Sequence, residues 1–215
     1  MKEPKAISAS VISRLPRYYR FLCDLATEGT IRISSKELAH RLGVTASQIR
    51  QDFNCFGGFG QQGYGYNVEQ LKKEMAAILD LQAEKSAILV GAGNLGRAIV
   101  CGMKFEDMGF QLSAVFDASP DIIGQTINGT VVLNADELTA FCTAHRPQMA
   151  ILCLPEKQAP ETVALLEEAG VNSFWNFSHY DILGDYPQAQ VTNVHLGDSL
   201  MTLSYIIHQT ENRGI

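Results

Sequence analysis

One short segment of the sequence constrains the fold more than any other. Residues 86–93, SAILVGAG, form an apolar run that ends in glycines and is typical of a buried parallel strand. The run continues into GAGNLG at 91–96, which has the spacing of the GxGxxG pattern and is followed by a helical pattern with Leu95 and Ile99. We therefore predict a strand, a tight glycine turn, and a helix that begins at the turn.

The three glycines of this turn suit different tasks in holding a nucleotide diphosphate. Gly91 permits the tight turn, Gly93 lets the diphosphate approach the backbone, and Gly96 lets helix and strand pack closely. The helix N-terminus offers free N–H groups and a partial positive charge to the phosphates. The predicted cofactor contacts in this turn are six consecutive residues: Gly91, Ala92, Gly93, Asn94, Leu95 and Gly96.

Asp117 predicts which dinucleotide is bound. It ends the next predicted strand, 21 residues after Gly96, where a carboxylate accepts hydrogen bonds from ribose hydroxyls and repels a 2′-phosphate. Residues 105–145 contain no lysine or arginine to neutralise such a phosphate. We therefore expect NAD(H) rather than NADP(H); coenzyme A and a structural remnant of a nucleotide site are the alternatives.

Predicted strands and helices alternate through the rest of the chain. Helical patterns cover 135–144 and 160–169, and strand patterns cover 112–116, 131–133, 149–154, 173–177 and 191–194. This alternation predicts an α/β fold of the doubly wound Rossmann type over residues 83–215.

Apolar residues at the ends of two of these strands predict a niche for the nicotinamide. Such a niche distinguishes NADH from NAD+, because burying an unpaired positive ring costs more than burying a neutral one. The residues assigned to this end of the cofactor are Leu154, Pro155, Asn176 and Phe177.

Residues 1–82 predict a separate helical domain. An amphipathic pattern covers 7–28, and Pro16 within it predicts a break near Arg14. Ser34 or Ser35 then caps a short helix, Gly43 supplies a tight turn, and Thr45 caps a second helix. This is the helix-turn-helix pattern of DNA-binding domains, although a helical hairpin without that function has the same spacing.

The segment after the second helix has the composition of a wing. Residues 56–66, FGGFGQQGYGY, interleave five glycines with four aromatic residues, which favours a tight hairpin over a plain flexible linker. The predicted DNA contacts lie on the second helix and this wing: Thr45, Ser47, Gln48, Arg50, Gln51, Gly58, Gly60, Gln61, Gln62 and Tyr64.

Charge divides the chain in the same place. Residues 1–66 contain nine basic and five acidic side chains, whereas the whole chain has a net charge of -6. A basic segment joined to an acidic remainder suggests that residues 1–66 bind a polyanion.

Several classes of site and location are not expected. No apolar run approaches the ~18 residues of a membrane span. The start, MKEPKAISAS, has no apolar core before a cleavage site, so a cytoplasmic protein is expected. The five cysteines offer neither a disulfide framework nor a CxxC pair, and Cys142 with His145 supplies only two metal ligands, so no metal is expected.

The sequence does not contain a recognisable catalytic group for hydride transfer. No tyrosine is followed four residues later by lysine, and the histidines of the Rossmann region have no evident acidic partner. Too few residues follow the glycine turn for a substrate domain, so we expect no enzymatic activity. A small NAD-dependent dehydrogenase with a basic N-terminal module remains the main alternative.

Taken together, these segments resemble the Rex family of redox-sensing transcriptional repressors. The resemblance covers nearly the whole chain and rests on the following segments: VISRLPRYYR at 11–20, SQIRQDF at 47–53, the wing at 56–66, GAGNLGRA at 91–98, FDASP at 116–120 and WNFSH at 175–179. It implies a homodimer whose subunits exchange their last helices, here about 199–210. It also implies a repressor that binds a palindromic operator when NADH is scarce and releases it when NADH accumulates.

Some positions depart from the commoner family pattern. Gln51 and the pair Gln61-Gln62 stand where many members have basic residues; since glutamine suits adenine, an operator rich in A·T is expected. Gly102 stands where some members have a tyrosine near the nicotinamide. His195 stands where they have an aspartate that pairs with an N-terminal arginine, matched here by Arg20.

Overall fold

The computed structural model describes residues 7–57, 59 and 65–212, and the chain divides into two units between Gln82 and Ala83. Within the described ranges, the elements of the first unit are α1 (Ala9–Thr27), β1 (Arg32–Ile33), α2 (Ser35–Leu42), α3 (Ala46–Asn54), β2 (Tyr66–Asn67) and α4 (Val68–Ile78). Those of the second unit are β3 (Lys85–Val90), α5 (Asn94–Gly102), β4 (Phe110–Asp117), β5 (Thr126–Ile127), β6 (Thr130–Asn134), α6 (Leu138–His145), β7 (Met149–Leu152), α7 (Ala159–Glu168), β8 (Ser173–Asn176), α8 (Ile182–Asp185), β9 (Gln190–Asn193) and α9 (Leu196–Asn212).

Helix α1 is continuous through Pro16, so the predicted break near Arg14 is wrong. Its buried side chains share one face: Val11, Leu15, Tyr18, Leu22 and Leu25. Proline removes one i→i−4 hydrogen bond, here the one to the carbonyl of Ile12, a residue on the exposed side of the helix. Burial of the opposite, apolar face outweighs the lost bond.

Helices α2 and α3 begin at capping residues, as predicted. The hydroxyl of Ser34 accepts a hydrogen bond from the Glu37 N–H, and that of Thr45 accepts one from the Gln48 N–H, both at 3.1 Å. Gly43 between the helices has a φ of 66°, in the left-handed region. The apolar side chains on the inner faces of these two helices are all buried: Leu38, Leu42, Ile49 and Phe53.

Three polar side chains, two of them buried and one half-buried, join α1 to α3. The guanidinium of Arg14 donates two hydrogen bonds of 2.7 Å to the Asp52 carboxylate, and the Tyr18 hydroxyl donates a third of 2.7 Å. Burial alone would raise the pKa of the Asp52 carboxyl, but these bonds and the charge of Arg14 outweigh it and lower that pKa. Burial and the bond to Asp52 raise the pKa of Tyr18 to about 12.

The second unit is built on a sheet that, in the described residues, has seven strands in the order β5-β6-β4-β3-β7-β8-β9. All pairs are parallel except β5 with β6, which confirms the predicted doubly wound fold. The chain runs outward from β3 through β4 to β6, then returns to the other side of β3 with β7. Ligands of such sheets bind at this reversal, beside the carboxyl end of β3.

Two details of the sheet differ from the sequence prediction. Strands β7 and β8 end at Leu152 and Asn176, so Leu154 and Phe177 lie beyond them at the carboxyl edge. A short hairpin of β5 and β6 was not predicted; it turns at Asn128 and Gly129, both with positive φ.

Helix α9 is longer than the predicted 199–210 and lacks buried residues among those described. Its large apolar side chains are at least 50% exposed: Leu196, Leu200, Met201, Leu203, Tyr205, Ile206 and Ile207. An apolar helix of this kind normally packs against another surface. None of the helices in the described ranges is long and apolar enough to cross a membrane.

Replacing Asp52 with asparagine should lower the free energy of unfolding by about 2–3 kcal/mol at neutral pH, because charge-assisted hydrogen bonds are lost. Since folding lowers the pKa of this carboxyl, its contribution is complete above the unfolded pKa of about 4 and is lost as the pH falls below it. Urea unfolding between pH 3 and 7, roughly the range that brackets this titration, measures the effect.

The matched control for this prediction is Asp24→Asn, an exposed aspartate on α1, the helix that carries Arg14 and Tyr18. It should change the free energy of unfolding by less than about 0.5 kcal/mol. A deficit in Asp52→Asn that is equally large at every pH would contradict the assigned role of the charge.

Candidate functional site

The glycine turn after β3 contains two positions that require glycine and one that is open. A Cβ on Gly91, whose φ is +99°, would lie 2.5 Å from the carbonyl oxygen of Cys153. A Cβ on Gly96 would lie 1.9 Å from the carbonyl oxygen of Gly91. A Cβ on Gly93 would meet no described atom within 4 Å. The turn is therefore closely packed at Gly91 and Gly96, whereas the space beside Gly93 is open. A phosphate-binding turn needs this open space.

Helix α5 begins at Asn94, with Gly93 as its N-cap. Within the described residues this helix end has no capping side chain, so its first N–H groups lack intrahelical partners and carry a partial positive charge. Asn94 and Leu95 are exposed beside these groups, whereas Ala92 is buried under the turn. The arrangement fits an anion such as a diphosphate.

Asp117 does more than the sequence suggested. Its Oδ2 accepts a hydrogen bond of 2.6 Å from the Ala92 N–H, and its Oδ1 accepts one of 2.7 Å from the Ser119 N–H. The carboxylate therefore fixes the glycine turn. Each carboxylate oxygen keeps a second lone pair, so Asp117 can also accept hydrogen bonds from a ribose.

The predicted apolar niche lies along the same edge of the sheet. The N–H of Cys153 donates to the carbonyl of Val90, and the N–H of Phe177 donates to the carbonyl of Leu152, which brings both segments to the carboxyl ends of the strands. Leu154 and Phe177 are half-buried and Pro155 is exposed. The Phe177 ring packs edge-on against Trp175, with 4.7 Å between centroids.

Cys153 belongs to this edge but was not predicted as part of the site. Burial raises the pKa of its thiol to about 12, so the sulfur is neutral at physiological pH. A neutral thiol adds to the apolar character of the niche. No sequence pattern indicated this, because an isolated cysteine has no distinctive spacing.

Asn176, predicted as a cofactor contact, lies beneath the edge instead. It is 0% exposed, and its amide nitrogen donates to the Tyr180 carbonyl and to Oδ1 of Asn193. Its amide oxygen accepts from the N–H and the hydroxyl of Ser178. The side chain thus uses both donors and both lone pairs internally, which leaves it no capacity for a ligand.

The predicted DNA contacts on α3 share its outward face. Ser47, Arg50 and Gln51 are exposed and Gln48 is half-buried. Thr45 is exposed too, but its hydroxyl serves as the helix cap. These side chains can reach a duplex that meets α3, and the polar amides can read base edges.

Arg50 lies between the two helices of the motif. Its guanidinium donates a hydrogen bond of 3.1 Å to the hydroxyl of Ser35, the first residue of α2. It is also close enough to Tyr66 for its charge to lower the pKa of that phenol, against a larger increase from burial. The Arg50 charge is therefore held near the base of the wing.

The tip of the predicted wing lies outside the described residues. This applies to five of the predicted contacts: Gly58, Gly60, Gln61, Gln62 and Tyr64. The base of the wing is described: β2 pairs antiparallel with β1, and the rings of Phe59 and Tyr66 pack edge-on against Phe53 at 5.4 and 5.2 Å. Phe56 also packs against the core of this unit, so three of the four aromatic residues anchor the wing.

Part of the positive charge of the first unit is used internally. Arg14 pairs with Asp52, Arg17 donates to the Leu42 carbonyl, and Arg41 lies within 3.5 Å of Glu28 and Glu37. Arg20, Lys36 and Arg50 are exposed. The count of nine basic residues in residues 1–66 therefore overstates the number of cations offered to a polyanion.

Comparison with known proteins supports this division of the chain. A family model described as "Putative DNA-binding protein N-terminus" matches residues 6–54, and one described as "CoA binding domain" matches residues 82–180. The redox-sensing transcriptional repressor Rex of Clostridium beijerinckii is 45% identical and covers 99% of this chain and 100% of its own. The Rex protein of Clostridioides difficile is 48% identical over 95% of this chain and 97% of its own.

Solved structures give the same result. RSP, a Rex-family repressor, in complex with β-NAD+ and operator DNA matches with a TM-score of 0.87 at 43% identity, covering 96% of this chain and 95% of that one. RSP in complex with β-NADH matches with a TM-score of 0.86 at 41% identity, over 96% and 97% of the two chains. On identity and coverage, the chain belongs to the Rex family of redox-sensing transcriptional repressors.

Proposed function

We propose that this chain is a DNA-binding repressor that senses the balance of NADH and NAD+. Its first unit binds an operator, its second unit binds NAD(H), and NADH lowers its affinity for the operator. The observation that carries the proposal is the combination, in one chain, of an exposed polar α3 in a helix-turn-helix and an open Gly93 turn beside Asp117. The relatives' names and the NAD+, NADH and operator complexes of RSP support it.

The second unit supplies each part of a dinucleotide site. The N–H groups at the start of α5 hold the diphosphate above Gly93, and the spare lone pairs of Asp117 accept the ribose hydroxyls. The same carboxylate repels the 2′-phosphate of NADP(H). The nicotinamide lies at the other side of β3, near Leu154 and Phe177, where a neutral ring is favoured over a cationic one.

The first unit binds the operator through α3 and the wing. In this arrangement α3 enters the major groove, while Arg50 and Lys36 contact phosphates. Two such units are needed for a palindromic site. The exposed apolar face of α9 supports a homodimer, since exchange of this helix between subunits would cover it.

We further propose that the chain acts in the cytoplasm and performs no catalysis. The Rex family is regulatory. The nucleophile at the edge of the site, Cys153, is held neutral, which fits a binding niche better than a reaction centre. Steady turnover of NADH with an aldehyde or keto acid would instead favour a dehydrogenase.

Fluorescence anisotropy with a palindromic, A·T-rich operator tests the function directly. Titration with NADH should release the operator, whereas NAD+ should have little effect, because the niche disfavours the cationic nicotinamide. Release by both forms at equal concentrations would contradict redox sensing. Tight NADH binding without operator binding would contradict the repressor function itself.

Two glycine variants distinguish loss of cofactor binding from loss of stability. Gly93→Ala should fold normally and still bind the operator, yet lose at least about tenfold in NADH affinity, because its methyl group occupies the diphosphate position. Gly96→Ala should instead reduce thermal stability, since its methyl group would overlap the Gly91 carbonyl. Normal NADH affinity in Gly93→Ala would exclude this turn as the phosphate site.

Gln51 makes a specific prediction about the operator. Its exposed amide suits the N6 and N7 of adenine, whereas lysine suits the O6 and N7 of guanine. Binding-site selection should therefore return adenine at one step for the wild type and guanine for Gln51→Lys. Asn54→Lys, which adds the same charge one turn later, is the control and should raise affinity without changing the base. Guanine at that step for both wild type and Gln51→Lys would refute this assignment.

A further inference from the structure

The carboxyl ends of β8 and β9 are joined by a buried amide. Nδ2 of Asn176 donates to Oδ1 of Asn193 at 2.8 Å, and the backbone carbonyl of Asn176 accepts from the Val194 N–H, also at 2.8 Å. Asn193 is exposed at its end of the pair, whereas Asn176 is fully buried. The end of β9 is therefore held by a residue of the neighbouring strand.

The same Asn176 side chain shapes the loop that contains Phe177. Its Oδ1 accepts from the Ser178 N–H at 3.0 Å and from the Ser178 hydroxyl at 2.6 Å, and its Nδ2 donates to the Tyr180 carbonyl at 3.1 Å. With four bonds made, the amide cannot shift without leaving a buried polar atom unpaired, which is costly. The loop and the end of β9 must therefore move together.

A second contact joins the same two segments one step further along the chain. The rings of His179 and His195 are stacked, with 5.0 Å between centroids and 26° between planes. His195 immediately precedes α9, and its carbonyl accepts from the Asp198 N–H in the first turn of that helix. Its Nδ1 lies 3.7 Å from the Asp198 carboxylate. His195 thus belongs to the start of α9 and touches the loop of the niche.

We infer that Asn176, Asn193 and the His179–His195 stack, together the β8–α9 link, are positioning residues that carry a change at the nicotinamide niche to helix α9. This inference rests on the proposed function. Phe177 lines the niche and lies in the chain between Asn176, which bonds to the end of β9, and His179, which stacks on the residue before α9. A ring that displaces Phe177 therefore displaces the start of α9.

The apolar side chains that α9 exposes connect this link to operator binding. If the apolar face of α9 forms the contact between subunits, a displaced helix changes the separation of the two DNA-binding units. The link would then set the coupling factor, the ratio of operator affinities without and with saturating NADH. We expect it not to set either affinity alone, because Asn193 and His195 lie outside the residues assigned to the cofactor and to DNA.

The test uses the full-length chain and three measured quantities: the Kd for NADH, the Kd for the operator, and the coupling factor. His195→Ala removes the stack and should reduce the coupling factor by about tenfold or more while each separate Kd changes less than about threefold. His195→Phe keeps a stacking ring and should restore coupling to within about threefold of the wild type. Rescue by phenylalanine is not expected of a residue that acts through its proton or its charge.

Asn193→Ala provides a second variant, because its side chain is exposed and its loss should not prevent folding. It should also reduce the coupling factor, and the double variant with His195→Ala should lose less than the product of the single effects. Thr192→Ala, the exposed neighbour on β9, is the control and should couple as the wild type does.

Three outcomes would overturn the inference. Wild-type coupling in both His195→Ala and Asn193→Ala would show that the link carries no signal. A weakened NADH Kd in His195→Ala that accounts for the whole loss of coupling would make the residue a ligand contact. An operator that the wild-type chain does not release with NADH would overturn both this inference and the proposed function, so the two failures are distinguishable.

Discussion

Helix α5 can leave the sheet where it does because Gly96 has no side chain: a Cβ there would lie 1.9 Å from the carbonyl oxygen of Gly91. That approach places the start of α5 directly above β3, at the reversal of strand order. The Asp117 carboxylate then fixes the turn through the Ala92 N–H. The free N–H groups at the start of α5 and the open space beside Gly93 are placed at the reversal of strand order by this packing.

The first unit depends on a comparable constraint of a different kind. Asp52 is buried on the inner face of α3, where Arg14 of α1 neutralises its charge and Tyr18 of α1 donates a hydrogen bond to it. These contacts fix the orientation of α3 relative to α1. The arrangement uses one of the nine basic side chains of residues 1–66, so not every cation in this part of the chain is available to DNA.

Features that depend on neighbouring residues in the chain could be predicted from the sequence. The glycine turn, the caps at Ser34 and Thr45 and the left-handed Gly43 all have local signals, and the alternation of elements specified the doubly wound sheet. The β5–β6 hairpin also has a local signal, the Asn128-Gly129 pair at its turn.

Features that depend on distant residues could not be predicted. Pro16 stays within α1 because the rest of that helix face is buried. Phe59 and Tyr66 look like wing residues in sequence, yet both pack on Phe53. Asn176 was assigned to the ligand, but four hydrogen bonds, one of them to Asn193 across the strand pair, use its amide completely. Only the folded chain shows these partners.

The central claim is that the two units are coupled: DNA and NADH each weaken the binding of the other. Thermodynamic linkage requires the same factor in both directions. The most direct test is calorimetric titration of NADH into the free protein and into its operator complex. The account predicts that the operator weakens NADH binding by the factor by which NADH weakens operator binding. Equal NADH affinity for the free and operator-bound protein would contradict it.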